Sequence, residues 1–182
     1  EPAMRNVDRA LALLRAEEGR GRPGIVAATH LLRARVYRVF GSAGRAHASA
    51  SRALELARVA GERRLETEAG ARLGGILLDL DRPVEAEAAL REALRLATEI
   101  EDRRGEAIAR LFLGILLWEA TLPEAAEMLS RASELAVEMG LNRVEAVTRS
   151  IQARIARAAG RIPEALEQSD RAMALLDRFG AE

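Results

Sequence analysis

An alanine returns every 39 or 40 residues along this chain, at Ala53, Ala93, Ala132 and Ala172. A second alanine seven residues earlier, at Ala46, Ala86, Ala125 and Ala165, keeps the same step. The flanking residues repeat with them: Arg52-Ala53-Leu54-Glu55-Leu56-Ala57, Glu92-Ala93-Leu94-Arg95-Leu96-Ala97, Arg131-Ala132-Ser133-Glu134-Leu135-Ala136 and Arg171-Ala172-Met173-Ala174-Leu175-Leu176. A partial copy, Arg9-Ala10-Leu11-Ala12-Leu13-Leu14, opens the chain. Self-similarity at a constant step means that one small unit is used repeatedly, and that each unit buries its apolar face only against its neighbours.

Inside each period the apolar residues fall at helical spacing. Val36, Tyr37 and Phe40 form one such run, and Leu73, Ile76, Leu77 and Leu80 the next. Ile108, Phe112, Ile115 and Leu116, then Ile151 and Ile155, complete the set. Breakers divide each period in two: Gly41 to Gly44, Asp81-Arg82-Pro83, Thr121-Leu122-Pro123 and Gly160-Arg161-Ile162-Pro163. Each proline sits where a first helical turn tolerates the loss of an N–H. The second helices are expected to end near Gly61, Asp102, Gly140 and Gly180. The pattern predicts helices over 4–17, 24–40, 43–60, 63–79, 83–100, 103–119, 122–139, 142–159 and 162–179, and no strand. Residues 1–23 then hold a second helix without its partner, followed by a linker. Four helix pairs follow, over 24–62, 63–102, 103–141 and 142–182, in one continuous domain. The expected fold is all-α, with helix pairs stacked at a constant small rotation to bury one continuous core and leave a curved surface. Where two helices cross closely only a methyl group fits, which accounts for alanines held at fixed positions.

Composition removes whole classes of chemistry. All 28 basic residues are arginine, so Schiff-base formation and the phosphate-loop lysine have no residue to use. Without cysteine there is no thiol nucleophile, disulfide or thiolate metal site. Arginine without lysine fits the coding bias of a GC-rich genome. No run approaches the roughly 18 to 20 apolar residues of a membrane span, so the expectation is a cytoplasmic protein with no membrane partner. Its opening, Glu1-Pro2-Ala3-Met4, lacks an initiator Met, which suggests a piece of a larger protein.

Ala34, Tyr37, Gly41, Ala46 and Ala53 resemble the small-residue, Tyr, turn-Gly, Ala and Ala positions of a tetratricopeptide repeat. Gly74, Leu77, Ala86, Leu90 and Ala93 match the next copy. Gly114, Ala125 and Ala132, then Gly160, Ala165 and Ala172, continue the structural positions. The third copy places Leu113 at the small position with Gly114 beside it, and the fourth has Ala153 and Ala156 where Gly and Tyr are usual. The period of about 40, longer than the usual 34, is similar to the long-linker variety found in bacterial signalling proteins and transcription regulators. The resemblance covers residues 24 to 180. It implies a right-handed superhelix of stacked antiparallel helix pairs, an α-solenoid, serving as a non-enzymatic module for protein–protein interaction with no cofactor. It also implies that the first helix of each pair lines a concave face, which puts Arg35, Arg38, Arg72, Asp79, Arg110, Trp118, Arg154 and Arg157 near a groove. Guanidiniums facing one concavity suit carboxylates or phosphates, because each donates two parallel hydrogen bonds. The implied partner is an acidic protein or peptide segment. Two other readings stand beside it: a sensor for a small anionic or sugar ligand in the same groove, and a homodimer through the terminal helices, where Leu175, Leu176 and Phe179 have no helix after them.

No constellation for catalysis emerges. Gly19-Arg20-Gly21-Arg22-Pro23-Gly24 satisfies G-x-G-x-x-G, but it follows a helical segment rather than a strand. Arg20-Gly21-Arg22-Pro23 has the core of a minor-groove hook, yet Glu17 and Glu18 before it would repel phosphate, which argues against nucleic acid. His30 and His47 lie on different helices without acidic neighbours at helical spacing, so no metal site is expected, and Ser42 reads as a helix N-cap. Acidic residues mostly pair with arginines on helix faces, as Glu92 with Arg95 or Glu101 with Arg104. Charge is unevenly placed: Gly19 to Leu54 holds seven Arg and no acid, balanced by an acidic excess elsewhere. Such a dipole steers an anionic partner to the first repeat, or favours head-to-tail self-association, with both effects weakening in salt.

Overall fold

The computed structural model describes residues 22–118 and 120–180, so expectations for residues 1–21, including the opening partial repeat, lie outside the described residues. Eight helices follow one another: α1 (Pro23–Val39), α2 (Ala43–Ala60), α3 (Arg63–Asp79), α4 (Pro83–Glu99), α5 (Arg103–Leu117), α6 (Leu122–Glu138), α7 (Asn142–Ala158) and α8 (Ile162–Gly180). There is no strand among the described residues. Helix ends agree with the predicted ones within a residue or two. α5 differs most, stopping at Leu117 rather than 119. The chain divides into two compact units, Glu1–Ile100 and Glu101–Glu182.

The helix starts and stops have local causes. Proline occupies the first turn of α1, α4 and α6. Gly41, Gly61, Gly140 and Gly160 all take left-handed φ values between 63° and 74° just past a helix. At each, the residue after the glycine donates its N–H to a carbonyl five residues back, as from Ser42 to Tyr37 at 2.8 Å and from Leu141 to Ala136 at 2.8 Å. This closes the last turn in the Schellman manner. Asp81 and Glu101 stand where the repeat elsewhere has glycine and adopt φ of 55° and 54°. α4 thus ends at Glu99 with Ile100 as its C-cap, and the left-handed residue after it is Glu101. Asp102 instead caps α5, its carboxylate accepting from the Gly105 N–H at 3.1 Å. Ser42 occupies the N-cap position of α2, but its hydroxyl makes no capping bond.

In the first unit, α3 lies in the crevice between α1 and α2. Ala34, Tyr37, Ala46, Ala50 and Ile76 form a buried cluster there, with Leu73 and Leu80 against it. A second cluster joins Leu31, Ala53 and Ala69. In the second unit α7 fills the equivalent crevice between α5 and α6. Leu111, Leu129, Ala132 and Ile155 are buried there, with Ile115, Trp118, Val144 and Ile151 around them. Ala86, Ala93, Ala125, Ala165 and Ala172 are likewise buried.

Within a pair the closest approach is made by glycine. A Cβ on Gly74 would collide with Leu90 of α4, and one on Gly114 would stand 2.5 Å from Leu129 Cγ of α6. Gly114 thus does in the third pair what Gly74 does in the second. It corrects the placement of Leu113 at the small position: Leu113 is fully buried, and the small position falls on Gly114. Aligned through these contacts, Ala34, Gly74, Gly114 and Ala153 are equivalent. The 39-residue step then arises because α5 has 15 residues against 17 in α3, while the connection after it is one residue longer. Ion pairs repeat too. Arg63 bonds Glu99 at 2.8 Å in the first unit, and Arg103 bonds Glu138 at 2.9 Å in the second. The Arg63 guanidinium holds the Glu99 carboxyl below the ordinary glutamate range, with Arg95 adding to the effect. What this pair contributes is complete above that range and fades as the pH falls through the lowered value.

Gly74→Ala and Gly114→Ala should each destabilise by about 1–3 kcal/mol through overpacking. Glu101→Gly and Asp81→Gly should each stabilise by about 1 kcal/mol, because glycine carries no penalty in the left-handed region. Denaturant midpoints at constant m-value measure both.

Candidate functional site

The first helices of the pairs carry the residues of interest, and the repeat alignment sorts them into columns. Arg35, Gly75, Ile115 and Arg154 are equivalent, and so are Arg38, Leu78, Trp118 and Arg157. Arginine therefore stands at these positions in the first and last pairs, and uncharged residues in the middle two. Where these columns meet a neighbouring first helix, side chains touch. In the first unit Arg38 on α1 donates to both carboxylate oxygens of Asp79 on α3, at 2.6 and 3.1 Å. In the second, the Arg154 guanidinium of α7 lies 5.0 Å from the centroid of the Trp118 ring at the end of α5. Cations over an indole face are attracted by its quadrupole. Trp118 is half-buried, its other contacts being the apolar cluster under α7.

The remaining residues of the expected groove are in different circumstances. Arg72 is held by Glu68 on its own helix at 2.6 Å. Arg110 donates to Glu106 at 2.8 Å, with both side chains largely buried, and reaches the Met128 sulfur of α6 at 3.6 Å. Arg35 and Arg157 are exposed and form no ion pair among the described residues. The structure thus brings together Arg38 with Asp79, and Trp118 with Arg154, and it leaves Arg72 and Arg110 neutralised by local carboxylates. Tyr37, in the first unit, has the Arg45 guanidinium 5.9 Å from its ring centroid.

A pair of contacts not anticipated from the sequence fastens first helix to second. Arg110 with Glu106 and Met128 has a counterpart in Arg149, which pairs with Glu145 at 2.7 Å and bonds the Gln168 Oε1 of α8 at 3.0 Å. The signal was present as Glu and Arg four residues apart, the spacing that aligns side chains on a helix face. Both pairs are more than four-fifths buried, unlike the exposed pair of Arg95 with Glu92 at 2.7 Å. The expected partner of Glu101 is absent: Arg104 makes no ion pair among the described residues, because Glu101 is turned into the left-handed bend.

Beyond these pairs, an open cleft of about 430 Å³ runs between α7 and α8. Ile162, Leu166, Met173 and Leu176 of α8 face it, and Arg154 and Arg157 of α7 are the charged residues that line it. Among the described residues no group of three His, Asp or Glu side chains is placed to hold a metal ion. His30 and His47 are half-buried on α1 and α2, with His47 Nε2 3.4 Å from an Arg82 guanidinium nitrogen. No helix of the described residues is long and apolar enough to cross a membrane.

Helix pairs of constant design, packed first helix on first helix within each unit, define the class: an all-α helical-repeat protein of the α-solenoid type. Residues 66–136 match the family model for the tetratricopeptide repeat. The chain carries tetratricopeptide repeats there. It is similar in fold to BtubC (BKLC) from P. vanneervenii, with a TM-score of 0.69 and 22% identity over 94% of this chain and 71% of that one. It is also similar to the apo form of RapI, with a TM-score of 0.71 and 15% identity over 97% and 72% of the two chains. Comparison with curated protein sequences gives no match.

Glu106→Ala and Glu145→Ala each leave a partly buried guanidinium without its carboxylate and should cost about 1–3 kcal/mol. Asp79→Ala, at a pair left more than a third exposed on both sides, should cost less than about 1 kcal/mol. Denaturant unfolding of the three variants should give that order.

Proposed function

We propose that this chain is a non-enzymatic interaction module, part of a bacterial cytoplasmic signalling or transcription regulator, and that it holds an acidic protein or peptide segment against the arginines of its first helices. The observation that carries this reading is the pair of arginine columns. Arg35 and Arg157 are exposed guanidiniums with no carboxylate of their own among the described residues, and Arg154 stacks on the half-buried Trp118. Arg38, already doubly bonded to Asp79, serves to hold α1 beside α3 more than to receive a ligand. The same accounting removes Arg72 and Arg110 from direct contact, since each is matched by a glutamate. What remains is a smaller set than the sequence suggests, Arg35 in one unit and Arg154, Trp118 and Arg157 in the other.

A guanidinium that is exposed and unmatched loses little water-borne stabilisation when it takes a carboxylate, and it can do so through two parallel bonds. The tetratricopeptide-type fold supports protein or peptide binding as the class of function, and the regulator context follows from the long-linker resemblance. Trp118 is the only tryptophan, so its emission reports this patch directly.

Titrating the protein with an extended glutamate-rich peptide should shift Trp118 emission in a saturable, salt-sensitive way. The combined variant Arg35→Ala, Arg154→Ala and Arg157→Ala should weaken binding by about tenfold or more, the equivalent of about 1.4 kcal/mol, with helicity retained. Undiminished binding by the triple variant would remove the arginine columns from the interaction.

A further inference from the structure

The cleft between α7 and α8 has a counterpart whose occupant is known. In the preceding pair the crevice between α5 and α6 is filled by α7, which lays Val144, Ile151 and Ile155 against Leu111, Ile115, Trp118 and Leu129. Moving along the chain by one repeat, Leu111, Ile115 and Trp118 become Ser150, Arg154 and Arg157. The second helix changes in the opposite sense. Ala126, Ser133 and Ala136 of α6 become Leu166, Met173 and Leu176 of α8. Leu166 and Met173 are 60% and 58% exposed. The last crevice is thus apolar along α8 and basic along α7, and no acid lines it.

A crevice that only faces water would be polar on both sides. Here the α8 side has gained large apolar groups in solvent, at i, i+4, i+11 and i+14 counted from Ile162. That spacing presents one continuous stripe on a helix. An apolar stripe beside a crevice of helix-accepting geometry is the receiving half of helix-in-groove recognition.

We propose that this cleft docks one amphipathic helix of a partner protein, seated as α7 is seated on α5 and α6, and that the helix carries carboxylates along its α7-facing edge. The inference rests on the interaction-module reading and gives it a second partner form, helical rather than extended, at a cleft that shares Arg154 and Arg157 with the arginine columns and adds the apolar stripe of α8. The stripe of α7 sets the register required of the partner. Val144, Thr148, Ile151 and Ile155 fall at i, i+4, i+7 and i+11, and the residue standing over Trp118 is Arg154, at i+10. Arg157 takes the place of Trp118 in the last pair, so the partner needs Asp or Glu at i+10, with a second one turn earlier to meet Arg154. A second copy of this chain fits poorly as that helix. Offered in the position of α7, its α1 would bring Arg33, Arg35 and Arg38 toward Arg154 and Arg157.

The test uses the intact chain and a synthetic peptide of the length of α7. It carries leucine at its first, fifth, eighth and twelfth positions and glutamate at its seventh and eleventh. A scrambled peptide of the same composition and a version with lysine for glutamate are the controls. The expected result is saturable binding with a gain in helical circular dichroism for the first peptide, and binding weaker by about tenfold or more for both controls. Leu166→Glu and Met173→Glu, at exposed sites where folding is little affected, should abolish binding of the helix while leaving the glutamate-rich extended peptide bound. Arg154→Glu with Arg157→Glu should reverse the preference toward the lysine version. Equal binding of the scrambled peptide, or undiminished binding by the Leu166 and Met173 variants, would overturn the proposal. So would a dimer, seen by sedimentation, that those same variants dissociate, for the occupant would then be a second copy. Loss of extended-peptide binding alone would count against the arginine columns and not against the cleft.

Discussion

Helices in each unit come together where one of them has no side chain. Gly74 lies directly beneath Leu90 and Gly114 beneath Leu129, at distances that leave no room for even a methyl group. Alanines occupy the adjoining contacts. Ala86 and Ala93 flank the first crossing and Ala125 and Ala132 the second, all of them buried. Close packing of this kind has little tolerance, because an interior at crystal-like density transmits any added volume to its neighbours. The angle and separation of each pair are therefore set by the small residues, and within each unit the crevice offered to the next first helix inherits that geometry.

From that constraint the placement of the candidate side chains follows. A first helix that fits the crevice of the preceding pair comes to lie beside the column of Arg38 and Trp118, where Arg38 meets Asp79 in one unit and Trp118 meets Arg154 in the other. Among the described residues the α7 and α8 crevice is open. Polarity at the columns changes from pair to pair while the packing positions do not. The candidate side chains thus sit on a scaffold whose own requirements are met by glycine, alanine and leucine.

The repeat, its helices and the absence of strands among the described residues were legible in the sequence, since a period of about 40 with helical apolar spacing has few other solutions. The position of the small residue in the third pair was not. The sequence offers Leu113 and Gly114 side by side, and only the contact with Leu129 selects Gly114. Asp81 and Glu101 were equally hidden, because a left-handed residue that is not glycine carries no compositional sign. At the candidate site, the arginines could be counted but not their occupancy. Arg72 and Arg110 each have a glutamate four residues before them, as do many surface arginines, and burial around Glu106 and Arg110 became visible only with α6 in place. The alternation that distinguishes the last crevice, polar on α7 and apolar on α8, needed a residue-by-residue alignment of the repeats, which the one-residue difference between α5 and α6 obscures.

A double-mutant cycle at Gly74 and Leu90 tests the primacy of the glycine crossing most directly. Gly74→Ala alone introduces the clash, Leu90→Ala alone opens a void, and the two together let the new methyl group enter the space vacated. Chemical denaturation should find the double variant more stable than the sum of the single losses, by a coupling of about 0.5–3 kcal/mol. Strict additivity of the two substitutions would mean that Gly74 and Leu90 do not meet, and that the helix pairs are held together in some other way.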